Sequence, residues 1–204
     1  MEYLFSIIIL IFSVVLHEVS HGAIANYLGD PTAKLNGRLT LNPLKHLDPV
    51  GSFFLPLFLI LMKSPILFGW ARPVPINPYN LRDQRYGSAK VALAGPGSNL
   101  AVALVFGLLL RFFPELAEIP GFYFMLSYIV YINILLAIFN LLPVPPLDGS
   151  HILFTFLPSQ FENLKIFLSQ FGIFVLLFIL FFFSNWLFLI INLIFTLVVG
   201  VPLF

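Results

Sequence analysis

The 204-residue chain contains no cysteine and very little charge. Without cysteine there can be no disulfide, no thiolate metal ligand and no cysteine nucleophile, and the redox compartment cannot be read from the sequence. Only 9% of the residues are charged, whereas soluble proteins average about 25%. This scarcity excludes an ordinary soluble domain. A net charge of +1 without a basic cluster gives no indication of a nucleic-acid partner.

Long apolar segments take the place of the missing charge. The chain is 60% hydrophobic, with a mean hydropathy of +1.01. A helix needs about 20 apolar residues to span a bilayer. The sequence therefore predicts an all-α, multi-pass protein of the lipid bilayer with five to six transmembrane or re-entrant helices. They are residues 4–28, 50–62, 88–113, 122–142, 164–183 and 185–204, of which 50–62 has the length of a re-entrant or tilted segment.

The connection between the first and third segments is polar and rich in turn-forming residues. Asn36-Gly37 predicts a membrane-associated β-hairpin between residues 33–35 and 38–41. Farther on, the prolines of residues 68–78 exclude a helix and favour an extended chain. Extended backbone at membrane depth must be buried in protein or line a wet cavity.

The first apolar segment carries the most informative motif, His-Glu-Val-Ser-His at residues 17–21. Ionisable residues inside a membrane span are rare and usually functional. Residues i and i+4 share one face of a helix, so His17 and His21 can hold one metal ion, and Glu18 can reach a water on that metal. This is the pattern of zinc peptidases. The simpler alternative is a pair of histidines in hydrogen bonds between packed helices.

A catalytic zinc takes a third protein ligand, and Asp148 is the best candidate. It follows a proline-broken helix end and precedes Gly149, at the edge of an apolar span. Asp148 could instead cap the helix that follows it. His151 could compete as the third ligand or hold the Asp148 carboxylate. His46 lies in a polar loop and is predicted to be a solvated surface residue.

At these positions the sequence resembles the site-2 protease family of intramembrane zinc metalloproteases, in its compact prokaryotic branch. Two motifs carry the resemblance: His-Glu-x-x-His at residues 17–21, and Asn-x-x-Pro with Asp-Gly at residues 140–149. Residues 69–75 and 94–99 also look like family segments, and the resemblance covers about residues 13–153. The chain departs from larger members because it has no PDZ or nucleotide-sensing domain. It departs from the smallest members in the extra stretch 50–62.

The resemblance implies one Zn²⁺ per chain, bound by His17, His21 and Asp148, with Glu18 as the general base that activates the zinc-bound water. It implies hydrolysis of peptide bonds in or near transmembrane segments of membrane-protein substrates. Asn140 is expected near the site, where it would bind the substrate backbone.

A further hypothesis concerns the extended segment within residues 72–78. An unwound substrate could pair with its edge by strand addition, and the N–H groups of Val74 and Ile76 would then donate to the substrate. By contrast, the small residues of the third apolar segment are interpreted as a helix-packing face rather than as part of the site.

Two other functions fit parts of the sequence. One is a catalytically inactive, protease-like protein that only binds membrane helices, although His17, Glu18, His21 and Asp148 are all intact. The other is a zinc-binding transporter, which needs acidic or histidine residues along a path across several helices. Residues 164–204 contain none. The sequence does not indicate an oligomeric state.

The chain is predicted to be one domain, residues 1–204, with a catalytic core at about 4–157 and two additional C-terminal transmembrane helices at about 164–204. The first segment is expected to be retained, because residues 1–3 lack the positive region of a signal peptide. Six cations flank the first and third segments and satisfy the positive-inside rule if they are cytoplasmic. This predicts a cell-membrane protein with its active site toward the cytoplasm. The cations are Lys34, Arg38, Lys45, Arg82, Arg85 and Lys90.

Overall fold

A computed structural model describes residues 2–54, 58, 61–62 and 72–202. Within these residues the regular elements are helical, and no β-strand occurs. Six α-helices are described along their whole length: α1 (Glu2–Tyr27), α2 (Thr32–Leu35), α3 (Gly87–Phe112), α4 (Phe122–Asn140), α5 (Asp148–Phe156) and α6 (Glu162–Val199). A short π-helix covers Pro49–Phe54. Most of the predicted segment 50–62, and residues 68–71, lie outside the described residues.

Four stretches are long and apolar enough to cross a membrane. Their outer faces carry large apolar side chains, such as Phe181, which is 81% exposed. Such faces suit a lipid environment, and the prediction of an all-α membrane protein is confirmed at this level. The four stretches are Leu4–Tyr27, Gly87–Phe112, Phe122–Asn140 and Ser159–Val199.

Helix α3 is the centre of the bundle and contacts α1, α4, α5 and α6. Small residues let these helices approach closely. At Gly107, for example, an added Cβ would lie 2.3 Å from Cγ1 of Val198 on α6. Between α3, α4 and α6 lies a buried apolar core made of Ala103, Leu110, Leu126, Val130, Ile134, Ile191, Phe195 and Val199.

The β-hairpin predicted at Asn36-Gly37 is wrong. Residues Thr32–Leu35 form helix α2, and Gly37 ends it with a φ of +62°. The Arg38 N–H then donates to Ala33 O over 2.9 Å, as at many helix C-termini. An Asn-Gly pair supplies a left-handed residue, which a helix end uses as readily as a hairpin turn.

The C-terminal region also differs from its prediction. In place of two helices, 164–183 and 185–204, there is one continuous helix, Glu162–Val199. Ser184 and Asn185 are polar, but both keep their backbone N–H, so neither interrupts the helix. The site-proximal half packs closely, since an added Cβ on Gly172 would lie 2.4 Å from Pro145 O. The other half contributes to the apolar core.

The prediction that His46 is a solvated surface residue is wrong as well. His46 is 1% exposed, and its Nε2 lies 2.8 Å from Thr40 O. Its carbonyl accepts from the Arg72 N–H over 2.8 Å. The loop between α2 and the π-helix is therefore bonded to the start of the segment 72–77. Residues 72–77 themselves have no regular secondary structure, as their prolines predict.

Candidate metal centre

Three potential ligands from distant parts of the chain meet at one point. Nε2 of His17 and Nε2 of His21, one turn apart on α1, are separated by 3.0 Å. Asp148 Oδ2, at the start of α5, lies 3.1 Å from the first and 3.2 Å from the second. Tetrahedral ligands about 2.0–2.1 Å from zinc lie about 3.3 Å apart. The triangle has the size that one zinc ion requires.

The hydrogen positions on the two imidazole rings follow from their other nitrogens. His21 Nδ1 lies 2.7 Å from Val91 O, a carbonyl that can only accept, so Nδ1 carries the hydrogen. His17 Nδ1 lies 2.7 Å from Asn99 Oδ1 and carries its hydrogen for the same reason. Both Nε2 lone pairs then face Asp148 Oδ2, which is buried without a hydrogen-bond donor. Three electron-rich atoms so close together fit a shared divalent cation.

The orientation of the Asn99 amide is fixed by a buried network between three helices. Asn99 Nδ2 donates to Ser13 O over 3.2 Å and to Asn133 Oδ1 over 2.8 Å. Asn133 Nδ2 donates to Ser13 Oγ and Ile129 O, both at 2.9 Å. Because the two backbone carbonyls only accept, each amide has one orientation. Asn99 Oδ1 is therefore free to accept the hydrogen bond from His17 Nδ1.

Two glycines make room for the centre. A Cβ on Gly95 would lie 2.4 Å from His21 Nε2 and 2.6 Å from His17 Nε2, so only hydrogen fits between α3 and the imidazoles. A Cβ on Gly149 would lie 2.3 Å from Leu141 O. Gly149 thus lets the start of α5, with Asp148, approach the end of α4. Gly95 and Asn99 were missed by the packing-face interpretation, although an asparagine in an apolar helix is itself a signal of a polar contact.

The structure distinguishes between the candidates for the third ligand. Helix α5 begins at Asp148, and its N-cap residue Leu147 makes no side-chain capping bond, so the structure gives no support to a capping role for Asp148. His151 is exposed and lines the cavity onto which His17, His21 and Asp148 also open. Among the described residues, His17, His21 and Asp148 form the group whose ligand atoms lie within 4.8 Å of one another, and His151 is not a member.

Glu18 and the extended segment form one wall of this cavity. Glu18 Oε2 accepts from the Val74 N–H over 2.8 Å. Of the two N–H groups predicted to serve the substrate, that of Val74 therefore has a partner within the protein. The Ile76 N–H has no partner among the residues that the structure describes. Pro73 and Pro75 have no N–H to offer.

The cavity has a volume of about 390 Å³, enough for a segment of extended peptide and water. Asn140, at the end of α4, reaches its wall, and the Asn140 Nδ2 donates to Leu136 O over 2.9 Å. The structure thus brings together all the residues predicted for the site. Its walls include His17, Glu18, His21, Val74, Ile76, Asn140, Asp148 and His151.

Asp30, which sequence reasoning did not single out, fastens the extended segment to the end of α1. It is fully buried and accepts from the Asn77 N–H at 2.7 Å and from Asn80 Nδ2 at 3.0 Å. It also accepts from the N–H and hydroxyl of Thr32. Burial opposes ionisation, but these hydrogen bonds outweigh it and lower the pKa of the Asp30 carboxyl. A charged Asp30 thus holds residues 77–80 beside α1.

The chain is similar to known proteins. The signature of "Peptidase family M50" matches residues 114–183. The "Putative zinc metalloprotease YwhC" of Bacillus subtilis is 42% identical over 164 residues, which cover 78% of this chain and 70% of that protein. The "Putative zinc metalloprotease Rip2" of Mycolicibacterium smegmatis is 33% identical over 137 residues, 67% of this chain and 51% of that protein. The chain thus spans about half the length of Rip2. No solved structure matches it.

Proposed function

Since the chain belongs to peptidase family M50, the site-2 protease family, we propose that it is an intramembrane zinc metalloprotease. It hydrolyses peptide bonds in or near the transmembrane segments of membrane-protein substrates. The observation that carries this proposal is the buried triangle of His17 Nε2, His21 Nε2 and Asp148 Oδ2, with Glu18 in the wall of the same cavity.

The roles of the residues follow from their chemistry. His17, His21 and Asp148 would hold one Zn²⁺ per chain. When bound, zinc supplies Lewis-acid chemistry, which polarises a peptide carbonyl and makes water more acidic. Glu18 takes the proton of the attacking water and delivers it to the departing amine. Asn99 and the Val91 carbonyl keep the imidazoles in the tautomer that leaves both Nε2 atoms free to ligate.

The substrate must present an unwound backbone, because the amides of a membrane helix are hidden in their own hydrogen bonds. Residues 72–77 supply an extended edge along the cavity, to which such a backbone can pair. Ile76 donates to it through the N–H that has no partner within the described part of the chain. Val74 forms part of the cavity wall but does not donate to the substrate, since its N–H already donates to Glu18 Oε2. Asn140 binds the substrate from the other side.

The protein lies in the cell membrane with this site toward the cytoplasm. The supporting observation is charge: three of the six cations follow α1, and the other three lie just before or at the start of α3. The Arg82 N–H donates to Leu28 O at the end of α1, so both groups belong to the same end of the bundle, as the positive-inside rule requires of cytoplasmic loops. The opposite end of α3 carries Arg111, followed by Glu115 and Glu118.

The proposal is tested by comparing wild type with Glu18→Gln against co-expressed single-span membrane proteins, with zinc content measured in parallel. Both should hold one zinc per chain, while cleavage should fall at least about 10²-fold in Glu18→Gln because the base is lost. Glu115→Gln, at the far end of α3, is the matched control and should cleave normally. Unchanged cleavage in Glu18→Gln would assign the base elsewhere. If the zinc-loaded wild type binds membrane helices without cleaving them, the protein is instead a catalytically inactive member of the family.

A further inference from the structure

We propose that Arg38 is a positioning residue for Glu18, and that it acts through the peptide unit that joins Pro73 to Val74. The inference rests on the proposed role of Glu18 as the general base. It assigns a function to a buried cation that lies outside the metal centre and that no motif in the sequence singles out.

The guanidinium of Arg38 is held among backbone carbonyls. Its Nη2 donates to Arg72 O over 2.8 Å and to Pro73 O over 3.3 Å, and its Nη1 donates to Lys45 O. The residue is only 9% exposed. A planar guanidinium with several donors fixes the relative positions of the carbonyls that it bonds. Arg38 therefore holds the start of the extended segment against the 38–46 loop.

The Pro73–Val74 peptide carries that constraint to the base. The Pro73 C=O and the Val74 N–H belong to one planar unit and point in opposite directions. The carbonyl faces Arg38, and the N–H donates to Glu18 Oε2 over 2.8 Å. The peptide dipole thus lies between a cation and an anion in the orientation that both favour. Burial and Arg72 lower the pKa of the Arg38 guanidinium, and the nearby Glu18 carboxylate acts in the opposite direction.

The rest of the segment is anchored without Arg38. Asp30 holds the Asn77 N–H, and the His46 carbonyl accepts from the Arg72 N–H. Loss of the guanidinium should therefore leave residues 72–77 in the cavity wall but release the Pro73–Val74 peptide. Glu18 then loses the fixed donor that orients its carboxylate. A misplaced base lowers the rate of the chemical step more than it weakens substrate binding.

The test uses Arg38→Gln and Arg38→Lys in the full chain, with Arg111→Gln as the matched control. Arg111 also donates to a backbone carbonyl, Leu197 O at 2.6 Å, but at the far end of α3. Zinc content, kcat and KM are measured on a single-span membrane substrate. We expect one zinc per chain throughout and a KM within about twofold of wild type. The kcat should fall about tenfold or more in Arg38→Gln and less in Arg38→Lys, which keeps the charge. Arg111→Gln should match wild type.

Amide hydrogen exchange supplies a readout that does not depend on cleavage. Within residues 72–76 only Arg72, Val74 and Ile76 have exchangeable amides, and the Val74 amide should exchange faster in Arg38→Gln. If wild type cleaves nothing, the protease proposal fails, while Val74 exchange still decides the link from Arg38 to Glu18. A wild-type kcat, a loss confined to KM, a loss of zinc, or unchanged Val74 exchange would each overturn it. If Arg38→Gln does not accumulate, the same measurements on Arg38→Lys decide.

Discussion

The chemistry of single side chains at the metal centre depends on partners that fix their hydrogens. His17 and His21 can ligate through Nε2 because the Nδ1–H of each ring donates a hydrogen bond, to Asn99 Oδ1 and Val91 O respectively. Asp148 completes the set with an oxygen that has no donor of its own. A substitution that removes one of these atoms should therefore weaken metal binding more than it changes the fold.

Replacing Asp148 by Ala should remove most of the bound zinc, because two histidines alone leave the ion without its third protein ligand. His151→Ala is the control: its ring lines the cavity but lies outside the ligand triangle, so zinc should stay at one per chain. Metal analysis of both purified variants checks this. Full zinc retention in Asp148→Ala, with loss in His151→Ala, would transfer the ligand role to His151.

Gly95→Ala should weaken zinc binding at least about tenfold, as expected when the groups around a metal ligand are displaced. The added methyl would lie 2.4 Å from His21 Nε2, and the imidazoles would have to move. Gly97→Ala, two residues on in the same helix, is the matched control, since nothing lies within 4 Å of its Cβ. It should bind zinc normally and gain up to about 1 kcal/mol of stability. Zinc titrations that show equal affinity for both variants would refute the close approach.

The helices and the extended segment contribute different parts of the site. Helices α1 and α5 carry the three potential ligands, and α3 carries the groups that bond the two imidazoles. Residues of the segment 72–77 form part of the cavity wall. Pro73 and Pro75 have no N–H to donate, and the N–H groups at the two ends of the segment donate to His46 O and Asp30 Oδ2. The other two N–H groups, those of Val74 and Ile76, differ in their partners. The Val74 N–H donates to Glu18 Oε2, and we propose that the Ile76 N–H donates to the substrate.

Replacing Ile76 and Val74 by Pro should therefore give different kinetic defects. Ile76→Pro deletes the substrate donor, so KM should rise and crosslinks from this segment to the substrate should weaken. Val74→Pro deletes the bond to Glu18, so kcat should fall with a smaller change in KM. Both variants should keep zinc, because no ligand is touched. If both cleave with wild-type kcat and KM, residues 72–77 only join two helices.

The bundle as a whole gathers the metal centre and most of the cations at one end. An orientation with that end in the cytoplasm can be tested cleanly, because the chain has no cysteine of its own. In intact cells a membrane-impermeant maleimide should label Glu118→Cys and not Tyr79→Cys, whereas opened membranes should allow both. These exposed residues flank the two ends of α3. The reverse pattern would place the active site on the outside.

Local properties of the sequence were enough to predict much of this protein. The apolar runs predict the membrane helices, and the i, i+4 spacing of His17 and His21 predicts a shared face, because both depend only on neighbouring residues. Pro73 and Pro75 likewise predict the extended chain of residues 72–77. Pro78 is expected to continue it but begins a short 3₁₀-helix, Pro78–Asn80. Where a local signal serves two structures equally, the prediction failed. Asn36-Gly37 ends a helix instead of turning a hairpin, and Ser184 with Asn185 does not end α6.

Only the tertiary structure decided which distant groups meet. Asn99 is 82 residues from His17, and the Pro73 carbonyl is 35 residues from Arg38. The sequence can mark Asn99 as a polar residue in an apolar helix, but it gives no sign that Arg38, in a polar loop, is buried. The tertiary fold brings both residues to their partners. Gly95 is needed for the same reason, because its lack of a Cβ matters only when α1 packs against α3. Burial makes each of these polar contacts necessary, and burial is a property of the folded bundle.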